Sequence, residues 1–294
     1  MFIIKYRKFF IGFSALLVLA SIIVVSVRGL DYGIEFTGGS VLEVSYDERP
    51  DIDLVHTSLA EAGFPDMLVQ PFGDNGYVVK TQSLSEEQRQ QLVSAMSVGD
   101  RELSIERFNS IGPSVGRELR TKSLYALIAV SLGIIFFVAY AFRHVAKPVS
   151  SWRYGIVAVI ALLHDIIIPV GILTLIGTEI DTLYVVGLLS ILGLSVNDTI
   201  VVFDRIRENL STNQEKKIAE AFPTTVGMAI NQTMTRSIFT SLTLIVVLVA
   251  LYVAGPVATQ TLSLVLLLGM IVGTYSSIFL ASPLLTLLGG NKTK

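Results

Sequence analysis

The chain has 294 residues, of which 52% are hydrophobic and only 16% charged, and apolar runs of about 20 residues, enough to cross a bilayer, recur along it. This excludes the one or two soluble domains that the length alone would allow. A formal charge of −2 with no basic block gives no footing for nucleic acid, and the lack of cysteine excludes disulfides, thiolate metal sites and cysteine catalysis.

Lys5, Arg7 and Lys8 precede an apolar run over residues 9–27. A secretory signal peptide has the same charge order. This run, however, is longer than a usual signal core and ends at Arg28 rather than at a small-residue cleavage site, which favours an uncleaved first span.

Residues 29–122 form the one long polar section. Leu42, Val44 and Tyr46 alternate onto one face, as in a strand. Ile52, Val55 and Leu59 recur at helical spacing up to Gly63. Residues 67–72 and 77–81 flank Gly73-Asp74-Asn75-Gly76, a hairpin signal. Ser85-Glu86-Glu87-Gln88 predicts a capping box that opens a helix to about Met96, and residues 102–109 close the set as a strand. The order β-α-β-β-α-β predicts the split βαβ, ferredoxin-like arrangement. No histidine cluster, phosphate loop or nucleophile–base pair occurs in it, and His56 is expected on a helix surface. A binding or force-transmitting module fits this section better than an active site.

Five further spans are predicted at about 123–142, 154–176, 183–203, 237–254 and 262–288, the last long enough to tilt or to break near Pro283. The expected fold is therefore a polytopic α-helical membrane protein with six transmembrane helices and one external α+β domain between the first two. The expected divisions are 1–28, 29–122 and 123–294, with a cytoplasmic loop at 204–235. Basic residues cluster at the N-terminus, in the second-to-third loop (Arg143, Lys147, Arg153), in the fourth-to-fifth loop (Arg205, Arg207, Lys216, Lys217) and in the tail (Lys292, Lys294). The alternate short loops, 177–182 and 255–261, contain none. By the positive-inside rule both termini are expected in the cytoplasm, with the external domain across the membrane from them.

Few ionisable side chains fall within these spans. His164 and Asp165 lie near the middle of the third, about 16 Å from its start at 1.5 Å per residue. Asp198 lies between apolar neighbours in the fourth, about 9 Å before Asp204 on the same rise. A charge at membrane depth costs about 2.5–3.5 kcal/mol on insertion scales, so each such residue is a functional-site candidate. Arg236, at the start of the fifth run, can reach a similar depth to Asp198. Pairing and unpairing the two would take up and release a proton. The bland alternatives stay open: Arg236 snorkelling to headgroups, Asp198 as a static ion-pair partner, His164 as a hydrogen-bonded core histidine. Gly269, Gly273 and Ser277 form a small-residue stripe that suits close helix packing, within the bundle or against a partner.

Several motifs carry a family resemblance that covers essentially the whole chain. They are residues 29–39 with Asp31, Gly38 and Gly39, the segment Ile111-Gly112-Pro113 to Leu119, and Leu163-His164-Asp165. The others are Ser195-Val196-Asn197-Asp198 with 204–209, and Asn231-Gln232-Thr233 with Arg236. Together they resemble the SecD/SecF family of bacterial Sec translocase accessory subunits, of the RND superfamily, and within it the smaller SecF-type member; Leu194 stands where that family usually has an aromatic. The resemblance implies a non-enzymatic subunit of the bacterial cytoplasmic (inner) membrane that uses the proton-motive force to promote preprotein translocation and release. It implies Asp198 and Arg236, with Asn197, His164 and Asp165, as the proton pathway. It also implies a SecD-like partner, the SecYEG translocon, YajC, a translocating preprotein and the lipid bilayer as contacts, with no cofactor, metal or nucleic acid. Two other classes compete with this reading. Half of a small-molecule or lipid exporter would have a larger, apolar-pocketed external domain. An intramembrane aspartyl protease would use Asp165 and Asp198 as a shared-proton pair, but neither sits in a Gly-x-Gly-Asp context.

Overall fold

The computed structural model describes residues 2–65, 67–98, 101–142 and 150–288. Of the basic residues that bear on orientation, Arg143, Lys147, Lys292 and Lys294 lie outside the described residues. In chain order the helices and strands are α1 (Phe2–Lys5), α2 (Arg7–Arg28), α3 (Ile34–Thr37), β1 (Gly39–Tyr46), α4 (Ile52–Glu61), β2 (Leu68–Phe72), β3 (Gly76–Thr81), α5 (Glu86–Met96) and β4 (Leu103–Ile111). They continue with α6 (Pro113–Ala141), α7 (Ser151–Leu175), α8 (Thr182–Glu215), α9 (Phe222–Ala254), α10 (Gln260–Ser276) and α11 (Ser282–Leu288). A π-helical turn, Ser277–Ala281, joins the last two. The chain divides into two units, Tyr32–Leu124 and Met1–Asp31 with Tyr125–Lys294.

The smaller unit is an antiparallel sheet in the order β2-β3-β1-β4. With α4 and α5 as its crossovers, this is the split βαβ topology that the alternation in the sequence predicts. β1 is central because it is apolar on its covered face: Leu42 and Val44 are fully buried and Tyr46 nearly so. They meet Val55 and Leu59 of α4 and Leu92 and Met96 of α5 in one core. Each helix start is fixed by a side chain. Asp51 accepts from the Asp53 amide at 3.0 Å. Ser85 and Gln88 form the full capping box, Ser85 accepting from the Gln88 amide at 3.3 Å while Gln88 accepts from the Ser85 amide at 2.9 Å. His56 is exposed on α4.

The larger unit holds the membrane-length helices, except that α6 begins in the smaller one and enters it at Tyr125. Six helices of the described residues are long and apolar enough to cross a membrane: Arg7–Arg28, Pro113–Ala141, Trp152–Leu175, Thr182–Glu215, Phe222–Ala254 and Val257–Leu288. Three boundaries differ most from the hydropathy reading, the end of α8, the start of α9 and the start of α6. The loop expected at 204–235 is helical over 204–215 and 222–235, so only 216–221 connect α8 to α9. Polarity ends an apolar run without ending a helix. Arg205, Arg207, Glu208, Leu210, Gln214 and Glu215 are good helix formers, and i,i+3 ion pairs lace the segment, Arg205 with Glu208 at 2.6 Å and Arg207 with Asp204. α6 likewise starts at Pro113, a residue suited to a helix's first position, ten residues before the apolar run. The last span stays helical through Pro283: a π turn ends just before Ser282-Pro283, and the Ser282 hydroxyl donates to the Ser277 carbonyl at 3.0 Å.

Close crossings build the bundle core. The stripe of Gly269, Gly273 and Ser277 faces α8 within this chain. A Cβ on Gly269 would lie 2.2 Å from Ile191, and one on Gly273 would lie 3.2 Å from the Ser195 Cβ. At the end of α8 that carries Phe203, an aromatic group of Phe142, Tyr154 and Phe203 packs with centroids 5.2–6.0 Å apart.

Candidate functional site

Helix α8 carries the site. Its buried face runs through Ile191, Leu192, Ser195, Thr199 and Val202, and Asp198, one residue off that face, is half-buried at the seam with α9. A cavity of about 80 Å³ opens there, lined by Asn197, Asp198, Arg236, Ser237, Thr240 and Ser241. That volume exceeds the roughly 10–15 Å³ that one water needs by the same kind of measure, and Leu194, Val201, Leu244 and Met270 complete a lining that mixes polar and apolar side chains. Asn197, Asp198 and Arg236, separated by up to 39 positions in the sequence, are thus brought together in one cavity. They do not touch as an ion pair, since no Asp198 oxygen lies within 4.0 Å of an Arg236 nitrogen. The hydroxyl next to the Asp198 carboxylate is that of Ser241, at 3.3 Å, which shares its hydrogen with the Ser237 carbonyl at 2.8 Å. Ser237, one turn before Ser241, is 2% exposed, and its hydroxyl has no partner in the structure.

His164 and Asp165 form a second, sealed group. Asp165 has no exposed surface and receives three donors from three helices: His164 Nδ1 of its own helix α7 at 2.8 Å, the Ser195 hydroxyl of α8, and the Ser276 hydroxyl of α10 at 2.7 Å. A buried carboxylate needs such a complement to offset its lost hydration. The His164 ring stacks on Tyr275 with centroids 6.1 Å apart, and its Nε2 is buried without a partner. The Asp165 and Asp198 carboxylates take different partners, His164 with the Ser195 and Ser276 hydroxyls for the one and the Ser241 hydroxyl for the other.

The motif after the first span is structural in its geometry. Gly38 has φ +79° and Gly39 φ +143°, both in the region that disfavours a side chain. A Cβ on Gly38 would stand 2.6 Å from the Pro113 Cα, and one on Gly39 2.7 Å from the Thr81 carbonyl oxygen. The two glycines therefore let the chain enter β1 against the start of α6. The side chain of Asp31 is exposed, while its carbonyl accepts from the Ile180 amide at 2.8 Å.

Sequence reasoning missed the hydroxyl partners Ser195, Ser241 and Ser276. Serines are common in membrane helices, and nothing in the spacing of Ser195, which bonds Asp165 from another helix, pointed to its partner. It also missed Gln232, whose Oε1 accepts from Arg205 Nε at 2.8 Å and Asn209 Nδ2 at 2.9 Å. That side chain ties the polar extensions of α8 and α9 together.

A bundle of membrane-length helices with two carboxylates inside it, and an α+β unit inserted in sequence after the first helix, defines a multi-pass membrane protein whose chemistry is that of buried charge. Comparison with known proteins makes this specific. Residues 91–291 match the family model of the protein export membrane protein SecD/SecF, C-terminal, and residues 23–48 match the SecD/SecF GG motif. The chain is 39% identical over 302 residues to the protein translocase subunit SecF of Thermobaculum terrenum, covering 96% of this chain and 92% of that one. It is 36% identical over 286 residues to the SecF subunit of Escherichia coli O157:H7, covering 95% and 84%. In three dimensions it superposes on the crystal structure of SecDF, a translocon-associated membrane protein from Thermus, with a TM-score of 0.82 and 30% identity. That match covers 97% of this chain and 38% of the longer SecDF chain. The chain belongs to the SecD/SecF family of protein-export membrane proteins.

Proposed function

We propose that this chain is an accessory subunit of the Sec translocase, the SecF-type half of a SecD/SecF unit, and that it couples proton entry at Asp198 to preprotein translocation and release. The observation that carries this reading is the shared cavity: a half-buried carboxylate and an arginine from neighbouring helices line one cavity without being locked in an ion pair. A proton arriving there neutralises Asp198 and removes its attraction for Arg236, so the α8–α9 seam has different energies in the two states. One charge moved through 100 mV is worth about 2.3 kcal/mol, enough to bias a two-state motion of helices by roughly fifty-fold. Asn197 lines the same space and assists, while His164 and Asp165 form the inner part of the pathway.

The corresponding assembly has a SecD-like partner, which the 38% coverage of SecDF leaves room for. SecYEG and YajC are its expected neighbours, the preprotein its substrate, and the bacterial inner membrane its location. Both termini lie in the cytoplasm on this reading, and the unit spanning Tyr32–Leu124 lies on the far side. The test is proton flux into vesicles that carry the complete complex during transport. Asp198→Asn and Arg236→Ala are each expected to abolish the transport-linked flux. Full flux in Asp198→Asn would overturn the assignment, and full flux in Arg236→Ala would overturn the pairing.

A further inference from the structure

The two membrane carboxylates have opposite surroundings. Asp198 faces a cavity and receives one long hydrogen bond. Asp165 is sealed and receives three donors, two of them the hydroxyls of Ser195 and Ser276 on neighbouring helices. Ser195 and Asp198 are three residues apart on α8, so they sit one above the other on adjoining parts of the helix surface. They also line one narrow crevice together with Gly269, Gly273 and Thr274.

We infer that Asp165 is a positioning residue for Asp198, acting through Ser195. By holding the Ser195 and Ser276 hydroxyls on one carboxylate oxygen, it fixes the rotation of α8 against α10, and so fixes the direction in which Asp198 meets Ser241 and Arg236. This rests on the reading of Asp198 as the proton site and adds a role that the sequence motif did not distinguish from proton carriage.

Three observations support it. The clamp needs Gly273, where a Cβ would stand 3.2 Å from the Ser195 Cβ and 3.7 Å from Asp165 Oδ2. It is repeated one turn along the same seam, where Thr199 and Ser277 share a hydrogen bond of 3.1 Å. It ends at the π turn Ser277–Ala281, where the helix ladder widens. Such bulges recur at functional sites because they re-aim the residues around them. An aspartate suits this role because a carboxylate can accept several donors at once, and no neutral side chain of that size accepts as many.

The titratable and charged groups around this seam are His164 on α7, Asp198 on α8, Arg236 on α9 and Tyr275 on α10; from α2, the Ser14 hydroxyl reaches Tyr275 Oη at 3.3 Å. Loosening the clamp turns Asp198 away from Ser241 and Arg236, both of which favour its charged form. The proton is then held to higher pH.

The test measures the pH profile of proton uptake by the reconstituted complex, alongside its melting temperature, for wild type, Ser195→Ala, Ser276→Ala and the double variant. Ser276 lies on α10 and does not line the Asp198 cavity. Each single variant is expected to move the profile to higher pH by about half a unit, a threefold change in proton affinity. The double variant is expected to move it no further than the sum, since both act through one carboxylate. A lowered melting temperature with an unmoved profile in both single variants would overturn the inference and leave Asp165 a purely structural anchor, with the proton reading intact. A wild-type uptake profile that Asp198→Asn does not change would overturn the proton reading itself.

Discussion

The group that touches the Asp198 carboxylate is the Ser241 hydroxyl, at 3.3 Å, while Arg236 lines the same cavity without closing an ion pair. A hydroxyl can donate to a charged carboxylate and accept from a protonated one, so Ser241 serves both states of Asp198. An arginine can only donate. On the proposed mechanism a direct, locked pair would hold Asp198 in its charged form through every cycle, and an unlocked pair would not.

Replacing Ser241 therefore weakens the charged form without removing the site. A hydrogen bond to a charge is worth about 1.5–3 kcal/mol, and at this length the lower figure applies. Ser241→Ala is expected to keep proton flux but to move its pH dependence to higher pH by about one unit, measured in vesicles. An unchanged dependence would show that the contact carries no weight.

The α8–α10 crossing depends on Gly269, whose added Cβ would fall 2.2 Å from two Ile191 side-chain atoms. Gly269→Ala is expected to cost about 1–3 kcal/mol by overpacking. Gly193→Ala, with nothing within 4 Å of its Cβ, is expected to be neutral or to stabilise by up to about 1 kcal/mol through helix propensity. Thermal unfolding of the two variants side by side separates these outcomes.

In the α+β unit, Gly38→Ala and Gly63→Ala form a second matched pair. Both have positive φ, at +79° and +89°, and each loses about 1–2 kcal/mol on that account. Only Gly38 also meets backbone, at 2.6 Å from Pro113, which adds about 1–3 kcal/mol. Native-state hydrogen exchange of the β1 amides in the full chain reads the difference. Equal losses would rule out any weight for the Pro113 contact.

Alkaline pH should also weaken this unit. Tyr46 is 4% exposed and donates to the Met96 carbonyl at 2.8 Å, and Tyr77 donates to the Pro50 carbonyl at 2.7 Å. Burial pushes both phenols above their usual range. A phenol held neutral in the folded state binds its proton more tightly than in the unfolded chain. The stability this gives is complete below about pH 10 and falls as pH rises above it. Tyr46→Phe is expected to remove part of the fall and to cost about 1–3 kcal/mol at neutral pH, because the Met96 carbonyl loses its partner. Unfolding followed between neutral pH and about pH 11, just above the ordinary phenol range, checks the sign.

Much of this architecture was legible in the residues, for identifiable reasons. The alternation of Leu42, Val44 and Tyr46, the Ser85–Gln88 box and the hairpin turn at residues 73–76 are local signals, and each strand and helix of the unit follows from them. Hydropathy located six spans but misjudged where α6 and α9 begin and where α8 ends, because it reports where a helix leaves an apolar medium, not where its hydrogen bonding stops. Costly single charges marked Asp165 and Asp198. Their different surroundings were not legible. Those depend on hydroxyls of Ser195, Ser241 and Ser276 that arrive from other helices, and on glycine at position 273, which reads in the sequence only as a small-residue stripe.

The most direct measurement of the central claim is preprotein export into inverted vesicles, with ATP held constant and a proton gradient imposed or collapsed, for wild type and Asp198→Asn. Protonation at Asp198 as the coupling step predicts that the gradient stimulates export in wild type and leaves export by Asp198→Asn at the collapsed-gradient level. Stimulation of equal size in the two would contradict it.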